Sequence, residues 1–331
     1  MMPLLEAQQH AGAAAPDVET DAVELSWIAS DVPPLRIALH HVVAAAPSRV
    51  MPVLVVHGAT FPAANAAAWR IGGRCWLDVL AMAGHSAYAL DFLGFGRSDR
   101  YPGMLRDPGE EGDAADSIDT LCDQLGRAVD HVLRVSGSDR LHLIAHSAGT
   151  LVAARYAQHR PERIARLVLF GAPSPATTAM PTSSAPERFL QFSAADQWQS
   201  FEARVREQHH LDAMDFAAWS ARYLAGDPQA LQRDPPGVRV PSGLMRAVHA
   251  LGISGQLPYA PERLHCPTLL IQGEWDAVSP PAATARVFER VAASCKRFVV
   301  LARGGHRLHL EAARVALYRA VNDFLDEEDA S

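Results

Sequence analysis

The sequence predicts an α/β fold: a mostly parallel, doubly wound β-sheet that a helical segment interrupts. Short apolar runs alternate with helical patterns from about residue 24 to residue 172, and the alternation returns after residue 263. The runs are apolar on both faces, as expected for interior strands of a parallel sheet covered by helices. Between residues 175 and 262 the alternation gives way to helical patterns bounded by prolines. The pattern therefore implies βαβ units with right-handed crossovers.

Six apolar runs have the length and composition of strands. They cover residues 50–56, 86–90, 141–145, 167–170, 267–272 and 297–301. Before the third run, apolar residues repeat at spacings of three and four, which predicts an amphipathic helix from Ile118 that stops at Gly137. A second helical run, residues 150–159, follows the third strand. A final helix carries its apolar face from Leu310 to Phe324.

The chain divides into three parts by composition. Residues 1–22 form a leader rich in alanine and acidic residues, which is typical of a loose segment. Residues 23–174 and 263–331 carry the alternation of strands and helices and are predicted to form one α/β core. Residues 175–262 are predicted to form an inserted, mostly helical domain that is nearly neutral and contains several aromatic residues.

Composition and charge exclude several functions. The chain has 331 residues, 49% of them hydrophobic, so it can bury a substantial core. Its net charge of −7 gives no electrostatic footprint for nucleic acid. Lys296 is the only lysine, so the chain has no Gly-Lys-Ser/Thr phosphate loop. The four cysteines are far apart and match no metal-binding or disulfide pattern. We therefore expect neither a cofactor nor a metal.

Nothing in the sequence predicts a membrane span or export. No apolar run reaches the ~18 residues needed to cross a bilayer, and the beginning of the chain lacks the pattern of a signal peptide. Together with the scattered cysteines, these features predict a cytoplasmic location. No pattern specifies an oligomeric state.

The strongest chemical signal follows the third strand. Residues 145–149 read Ala-His-Ser-Ala-Gly and lie between that strand and a helical run, which places Ser147 on a sharp strand-to-helix turn. The residues two before and two after the serine must be small, and Ala145 and Gly149 meet this demand, although Gly-x-Ser-x-Gly is the usual pattern. The helix behind the turn aims N–H groups at developing negative charge. Ser147 is thus a candidate nucleophile; an ordinary serine-containing turn is the alternative.

A serine nucleophile needs a base, and the base needs an orienting acid. Asp276 follows the fifth strand, and His306 follows the sixth in the sequence Arg-Gly-Gly-His. Loops after parallel strands gather at the carboxyl edge of a sheet, so both side chains can meet Ser147 there. Glu274 is the alternative acid and His309 the alternative base. Two glycines favour His306, because they let its loop approach the serine closely.

Two backbone N–H groups are expected to stabilise the developing oxyanion. One belongs to Ala148, directly after the serine, and the other to Ala59, in the loop after the first strand; Thr60 is a less favoured contributor. His57, in the same loop, is predicted to be a structural hydrogen-bonding residue. The candidate substrate-binding residues are Thr60, His146, Trp198, Trp219 and Tyr223. Packing within the helical insertion is the alternative role for its aromatic residues.

These motifs together resemble the α/β-hydrolase superfamily from about residue 24 to the end of the chain. The His-Gly pair at 57–58, the Gly-Phe-Gly-Arg-Ser run at 94–98, the serine turn, Asp276 and His306 occur in the superfamily's order. The resemblance implies an eight-stranded sheet in which residues 175–262 form a helical cap. A serine at 147 argues against the haloalkane dehalogenase and epoxide hydrolase branches, which use a carboxylate nucleophile. The absence of a His-Gly-Gly-Gly run argues against the lipases that carry it.

The sequence thus predicts a cofactor-independent serine hydrolase that acts on a small or medium, hydrophobic carboxylic ester or lactone through an acyl-enzyme. Its expected partner is a small-molecule acyl substrate. The same triad serves acyltransferases and carbon–carbon bond hydrolases, which are the alternatives. A ligand receptor that retains the fold and hydrolyses poorly is a less favoured alternative.

Overall fold

The computed structural model describes residues 23–44, 51–106, 116–175 and 187–327; the predicted leader, residues 1–22, lies outside them. The strands are β1 (Glu24–Ala29), β2 (Arg36–Val42), β3 (Val53–Val56), β4 (Ala87–Asp91), β5 (Leu141–His146), β6 (Ile164–Phe170), β7 (Phe189–Phe192), β8 (Val238–Pro241), β9 (Thr268–Gly273) and β10 (Lys296–Leu301). The helices are α1 (Trp76–Met82), α2 (Ile118–Ser136), α3 (Gly149–His159), α4 (Ala194–Gln199), α5 (Ala203–Glu207), α6 (Phe216–Ala225), α7 (Gly243–Ser254), α8 (Pro281–Arg290) and α9 (Arg314–Leu325).

One eight-stranded sheet forms the centre of the molecule, in the strand order β1-β2-β4-β3-β5-β6-β9-β10. Strand β2 pairs antiparallel with both of its neighbours, β1 and β4. Every other pair, from β4 through β3, β5, β6 and β9 to β10, is parallel. The prediction of an α/β fold with a mostly parallel, eight-stranded sheet is therefore confirmed.

Helices cover both faces of the sheet because successive apolar side chains of a strand point to opposite faces. In β3, Leu54 and Val56 face the layer that α2 and α3 form, whereas Val53 and Val55 face the layer of α1 and α9. Burying one such aliphatic side chain stabilises a fold by about 1.5–3 kcal/mol. Helix α2 ends at Gly137, whose φ of 68° is left-handed, as the apolar spacing and the glycine predict.

Residues 187–262, which leave the sheet after β6 and return to it at β9, are named the cap segment. They contain α4 to α7 and a two-stranded antiparallel ribbon in which β7 pairs with β8. The sequence predicts a mostly helical insertion and identifies neither strand, because strands of four residues are too short to show an alternating pattern. The segment is hydrogen-bonded to the core: the indole N–H of Trp219 donates to the Asn65 carbonyl at 2.9 Å, and the Asn65 amide donates to the Trp219 carbonyl at 3.0 Å.

Three further findings concern the described residues. No helix among them is long and apolar enough to cross a bilayer. They include no group of three or more His, Cys, Asp or Glu side chains arranged to hold a metal ion. All four cysteines are unpaired.

Candidate active site

Ser147 occupies a strained turn between β5 and α3. Its φ of 51° lies in the left-handed region, which is costly for a residue with a side chain. The N–H of Ser147 donates to the carbonyl of Phe170, the last residue of β6, at 2.9 Å. Helix α3 begins so close to the loop after β3 that a β-carbon on Gly149 would overlap the carbonyl oxygen of His57. The half-buried serine therefore lies at the carboxyl edge of the sheet.

The structure brings Ser147, His306 and Asp276 into direct contact. Oγ of Ser147 lies 2.8 Å from Nε2 of His306, and Nδ1 of His306 lies 2.9 Å from Oδ2 of Asp276. The three residues follow β5, β10 and β9, which are separate in sequence but end at one edge of the sheet. Because an ionised carboxylate only accepts hydrogen bonds, Nδ1 carries a proton and Nε2 is free to accept the serine proton. The arrangement can remove a proton from the serine hydroxyl.

The acidic side chain is held by its own loop. Oδ1 of Asp276 accepts the Ser279 N–H at 2.7 Å, and Oγ of Ser279 donates to the Gly171 carbonyl at 3.1 Å. Asp276 is buried, and its second oxygen is directed at His306. Glu274, the alternative acid, is exposed and instead accepts the Arg303 N–H at 2.8 Å. The geometry thus brings Asp276, and not Glu274, to the histidine.

Two contacts hold His306 in place, one at its ring and one at its backbone carbonyl. A β-carbon on Gly171, whose φ is 60°, would lie only 3.2 Å from Cε1 of the ring. On the other side, Nε2 of His146 donates to the His306 carbonyl at 3.0 Å. His146 is buried and stacks on Phe170, so packing beneath the backbone of His306 accounts for its position.

His309, the alternative base, lies in the interior. Its ring packs on His146 at a centroid distance of 4.7 Å and on Phe170 at 5.4 Å. Neither of its ring nitrogens has a hydrogen-bond partner among the described residues. Burial lowers the pKa of His309 to about 3, so the ring is neutral at neutral pH.

Stability is expected to decrease below about pH 6.5 because two buried histidines must gain a proton when the chain unfolds. Burial lowers the pKa of both His142 and His309 to about 3, against about 6.5 in an unfolded chain. Their contribution to the free energy of unfolding is complete above pH 6.5 and is lost as the pH falls toward 3. The slope approaches about 1.4 kcal/mol per pH unit for each histidine. Thermal unfolding between pH 4 and pH 8 measures it.

The variant His309→Phe removes one of these groups without breaking a described hydrogen bond of the ring. We expect its melting temperature to decrease less steeply below pH 6.5 than that of the wild type. His265→Phe, which removes an exposed imidazole, is the matched control and should leave the slope unchanged. Equal slopes for His309→Phe and the wild type would contradict the assignment of a neutral, buried imidazole.

Two glutamates bind the backbone of the loop between β10 and α9, residues 302–313, which is named the histidine loop. The N–H of Gly305 donates to Oε2 of Glu311 at 2.6 Å, and the N–H of Arg307 donates to Oε1 of Glu311 at 3.0 Å. Between them, the N–H of His306 donates to Oε1 of Glu202 at 3.0 Å. Burial raises the pKa of Glu311 to about 7. The sequence interpretation missed both residues: Glu311 follows the histidine closely, but no pattern points to Glu202, which is 104 residues away.

The two predicted oxyanion donors border the serine turn. A β-carbon on Gly58 would lie 3.2 Å from Cβ of Ser147, so the loop that carries Ala59 lies directly against the turn. The N–H groups of Ala59 and Ala148 donate to no other described residue, and the same holds for Thr60. These N–H groups thus have no acceptor among the described residues, as the predicted oxyanion role requires.

His57 in the same loop has a structural role. Its Nε2 accepts the Phe92 N–H at 3.1 Å, and its Nδ1 contacts the Gly58 carbonyl at 2.6 Å. Burial lowers the pKa of this imidazole, which favours the neutral form that such a pairing needs. The residue thus ties the loop after β3 to the end of β4.

The predicted substrate-binding residues of the cap segment differ in accessibility. Trp219 and Tyr223 stack on each other at a centroid distance of 5.3 Å and are 0% and 1% exposed, so neither borders accessible space. The hydroxyl of Tyr223 donates to the Thr60 carbonyl at 3.1 Å. Trp198 and Thr60 are half-buried. Packing therefore explains Trp219 and Tyr223, and only Trp198 and Thr60 retain exposed surface.

An eight-stranded α/β sheet, with a serine, a histidine and an aspartate in contact at its carboxyl edge, defines a serine hydrolase of the α/β-hydrolase class. The sequence profile of the family described as "Serine aminopeptidase, S33" matches residues 74–313, and the chain belongs to this family of the α/β-hydrolase superfamily. The matched range includes all three contacting side chains.

Similarity to individual proteins extends over most of the chain. A protein of Pseudomonas savastanoi pv. phaseolicola (strain 1448A / Race 6), provisionally named carbamate hydrolase RutD, is 28% identical over 263 residues, or 78% of this chain and 92% of that protein. The solved thioesterase domain from the curacin biosynthetic pathway superposes with a TM-score of 0.58 at 21% identity, covering 92% of this chain and 99% of that one. The 2-hydroxy-6-oxo-6-phenylhexa-2,4-dienoate hydrolase (BphD) of Rhodococcus sp. strain RHA1 gives 0.58 at 19% identity, covering 92% and 100%. These two solved structures share the fold of this chain.

Proposed function

We propose that this protein is a cofactor-independent, carboxylesterase-like hydrolase of small or medium, hydrophobic carboxylic esters or lactones. The observation that carries the proposal is the series of contacts from Ser147 Oγ to His306 at 2.8 Å and from His306 to Asp276 at 2.9 Å. A hydroxyl that is hydrogen-bonded to an imidazole, which a buried carboxylate orients, is the arrangement that activates serine for attack on a carbonyl carbon.

In the proposed reaction, Nε2 of His306 takes the proton of Ser147 while Oγ attacks the carbonyl carbon of the substrate. The carbonyl electron pair becomes an oxyanion, which the N–H groups of Ala59 and Ala148 stabilise. His306 then gives the proton to the departing alcohol, and an ester of Ser147 remains. A water molecule deprotonated by His306 attacks this ester, the proton returns to Oγ, and the carboxylic acid leaves. Asp276 orients the imidazole and stabilises its cation in both steps.

Two considerations support an uncharged acyl substrate. The residues of the cap segment are nearly neutral in sum, and its half-buried Trp198 packs beside the apolar rings of Phe216 and Phe201. The names of the carbamate hydrolase and the thioesterase domain both describe hydrolysis at a carbonyl carbon bonded to a heteroatom. Esters and lactones belong to the same class of bond.

Longer acyl chains are expected to raise turnover. In a series of p-nitrophenyl esters from acetate upward, we expect kcat/KM to rise by about two- to fourfold for each of the first added methylenes, because burying one methylene contributes about 0.8 kcal/mol. The hydroxide-catalysed rate of each ester, measured without protein, is the control for intrinsic reactivity. A flat profile across the series would contradict the hydrophobic preference.

Product analysis separates the proposed activity from other reactions of the same triad. With an added alcohol or amine, an acyltransferase forms the acylated acceptor in place of free acid. Hydrolysis of a diketone at the bond between a carbonyl carbon and its α-carbon identifies a carbon–carbon bond hydrolase. An aminoacyl p-nitroanilide tests the peptidase activity that the family's description names. A higher kcat/KM for any of these reactions than for every ester would overturn the ester proposal.

A further inference from the structure

Glu202 reaches the histidine loop from the cap segment and not from the core. Its Oε1 accepts the N–H of His306, whereas the flanking N–H groups of Gly305 and Arg307 are bound by Glu311, which follows in the same loop. Glu202 is half-buried and immediately precedes α5. The N–H of the proposed base therefore has its acceptor in the part of the chain that lies outside the sheet.

The cap segment is attached to the same loop by the residue after the histidine. The guanidinium of Arg307 donates to the carbonyl of Ser200, two residues before Glu202. It also lies over the rings of Phe201 in the cap segment and Phe61 in the core, at 5.1 and 5.8 Å from their centroids. Arg307 is buried, so its contacts with the cap segment form away from competing water.

Gly305 makes room for the contact of Glu202 with the histidine loop. A β-carbon at that position would overlap Oε2 of Glu202 and would lie 3.0 Å from Oε1 of Glu311. The sequence interpretation assigned the glycines before His306 to a close approach to the serine. The structure shows that Gly305 lets two carboxylates reach the backbone of the loop.

We propose that Glu202 is a positioning residue: by accepting the N–H of His306, it makes the orientation of the imidazole toward Ser147 depend on a docked cap segment. The inference rests on the proposed function, because it assigns the imidazole the role of base. Hydrogen bonds to carboxylates are roughly twice as strong as neutral ones. A displacement of about 1 Å in a reacting group can cost about a hundredfold in rate.

The test compares Glu202→Ala, which removes the acceptor, with Glu202→Gln, whose amide oxygen can still accept the N–H. Glu207→Ala is the matched control, because Glu207 is exposed at the end of α5 and contacts no part of the histidine loop. Two quantities are measured: the rate of labelling of Ser147 by a fluorophosphonate, and kcat and KM for the ester with the highest turnover. Melting temperatures establish that each variant is folded.

We expect Glu202→Ala to lower the labelling rate and kcat by about 10- to 100-fold with KM little changed, the size expected for losing a hydrogen bond to a charged group. Glu202→Gln keeps a neutral hydrogen bond of roughly half the strength and should lose only about 3- to 10-fold, and Glu207→Ala should equal the wild type. If Glu202→Ala does not fold, Glu202→Asp replaces it, because it keeps the charge but shortens the reach.

Three outcomes would overturn the inference. A folded Glu202→Ala (or Glu202→Asp) variant with the labelling rate of the wild type shows that the hydrogen bond does not position the imidazole, while the proposed function stands. An equal loss in Glu202→Ala and Glu202→Gln shows that the charge, and not the acceptor, matters. A wild-type protein that resists labelling and cleaves no ester overturns the proposed function and this inference together.

Discussion

Replacing Ser147 by alanine is expected to lower kcat by about a million-fold, the scale of the loss when the nucleophile of subtilisin is removed. The reason is that, among the described residues, this hydroxyl is the one hydrogen-bonded to Nε2 of His306, at 2.8 Å, and it is the nucleophile of the proposed reaction. The turn itself should persist, because its hydrogen bond to β6 comes from the backbone N–H of residue 147. The kcat of purified protein with the preferred ester measures the effect.

Ser254→Ala is the matched control, since Ser254 is exposed at the end of α7. It should retain the kcat of the wild type and the same labelling by a fluorophosphonate, whereas Ser147→Ala should not be labelled. A loss this large can be masked by traces of active protein, so the Ser147→Ala preparation is treated with the fluorophosphonate before the assay. If the treated Ser147→Ala variant retains most of the kcat of the wild type, another residue is the nucleophile.

Replacing Asp276 by asparagine is expected to lower kcat by about ten thousand-fold, as in the serine protease triad. The carboxylate accepts the hydrogen bond of the Nδ1–H of His306 at 2.9 Å. An amide nitrogen placed there would favour the tautomer with the proton on Nε2, and that tautomer cannot accept the proton of Ser147. The effect is measured as kcat at the pH optimum of the wild type.

Glu274→Gln is the control for this prediction, because Glu274 lies two residues earlier and was the competing acid in the sequence. It accepts a backbone N–H from Arg303 on the surface, so its replacement should change kcat by no more than about twofold, the usual scale for an exposed polar contact. The opposite ranking of the two variants would show that the loop rearranges to present Glu274 to His306.

The sequence predicts the fold and the central contacts well because both follow from the sheet. The runs that form β5 and β9 are buried, β10 is the partly exposed edge strand beside β9, and the parallel arrangement brings the residues after all three to one edge. Ser147, Asp276 and His306 each directly follow such a run or lie a few residues beyond it. Helix α2 is equally predictable, because its apolar stripe and the stop at Gly137 are local features.

What the sequence does not predict depends on contacts between distant side chains. The aromatic residues of the cap segment have the same composition whether they line a pocket or pack together, and only the structure shows Trp219 and Tyr223 fully buried. The contact from Glu202 to the His306 N–H joins residues 104 apart and has no spacing of its own. The β7–β8 ribbon is missed because four residues per strand are too few for periodicity.

The contact between Glu202 and His306 bears on how such proteins can be recombined in the laboratory. A chimera that replaces residues 187–262 with the corresponding part of another hydrolase, in order to change its substrate range, also removes the acceptor for His306. We expect the graft to lose about 10- to 100-fold in kcat unless the donor supplies an oxygen that accepts the backbone N–H of His306. Any exchange of the cap segment then changes the reaction rate as well, unless the acceptor at position 202 is kept.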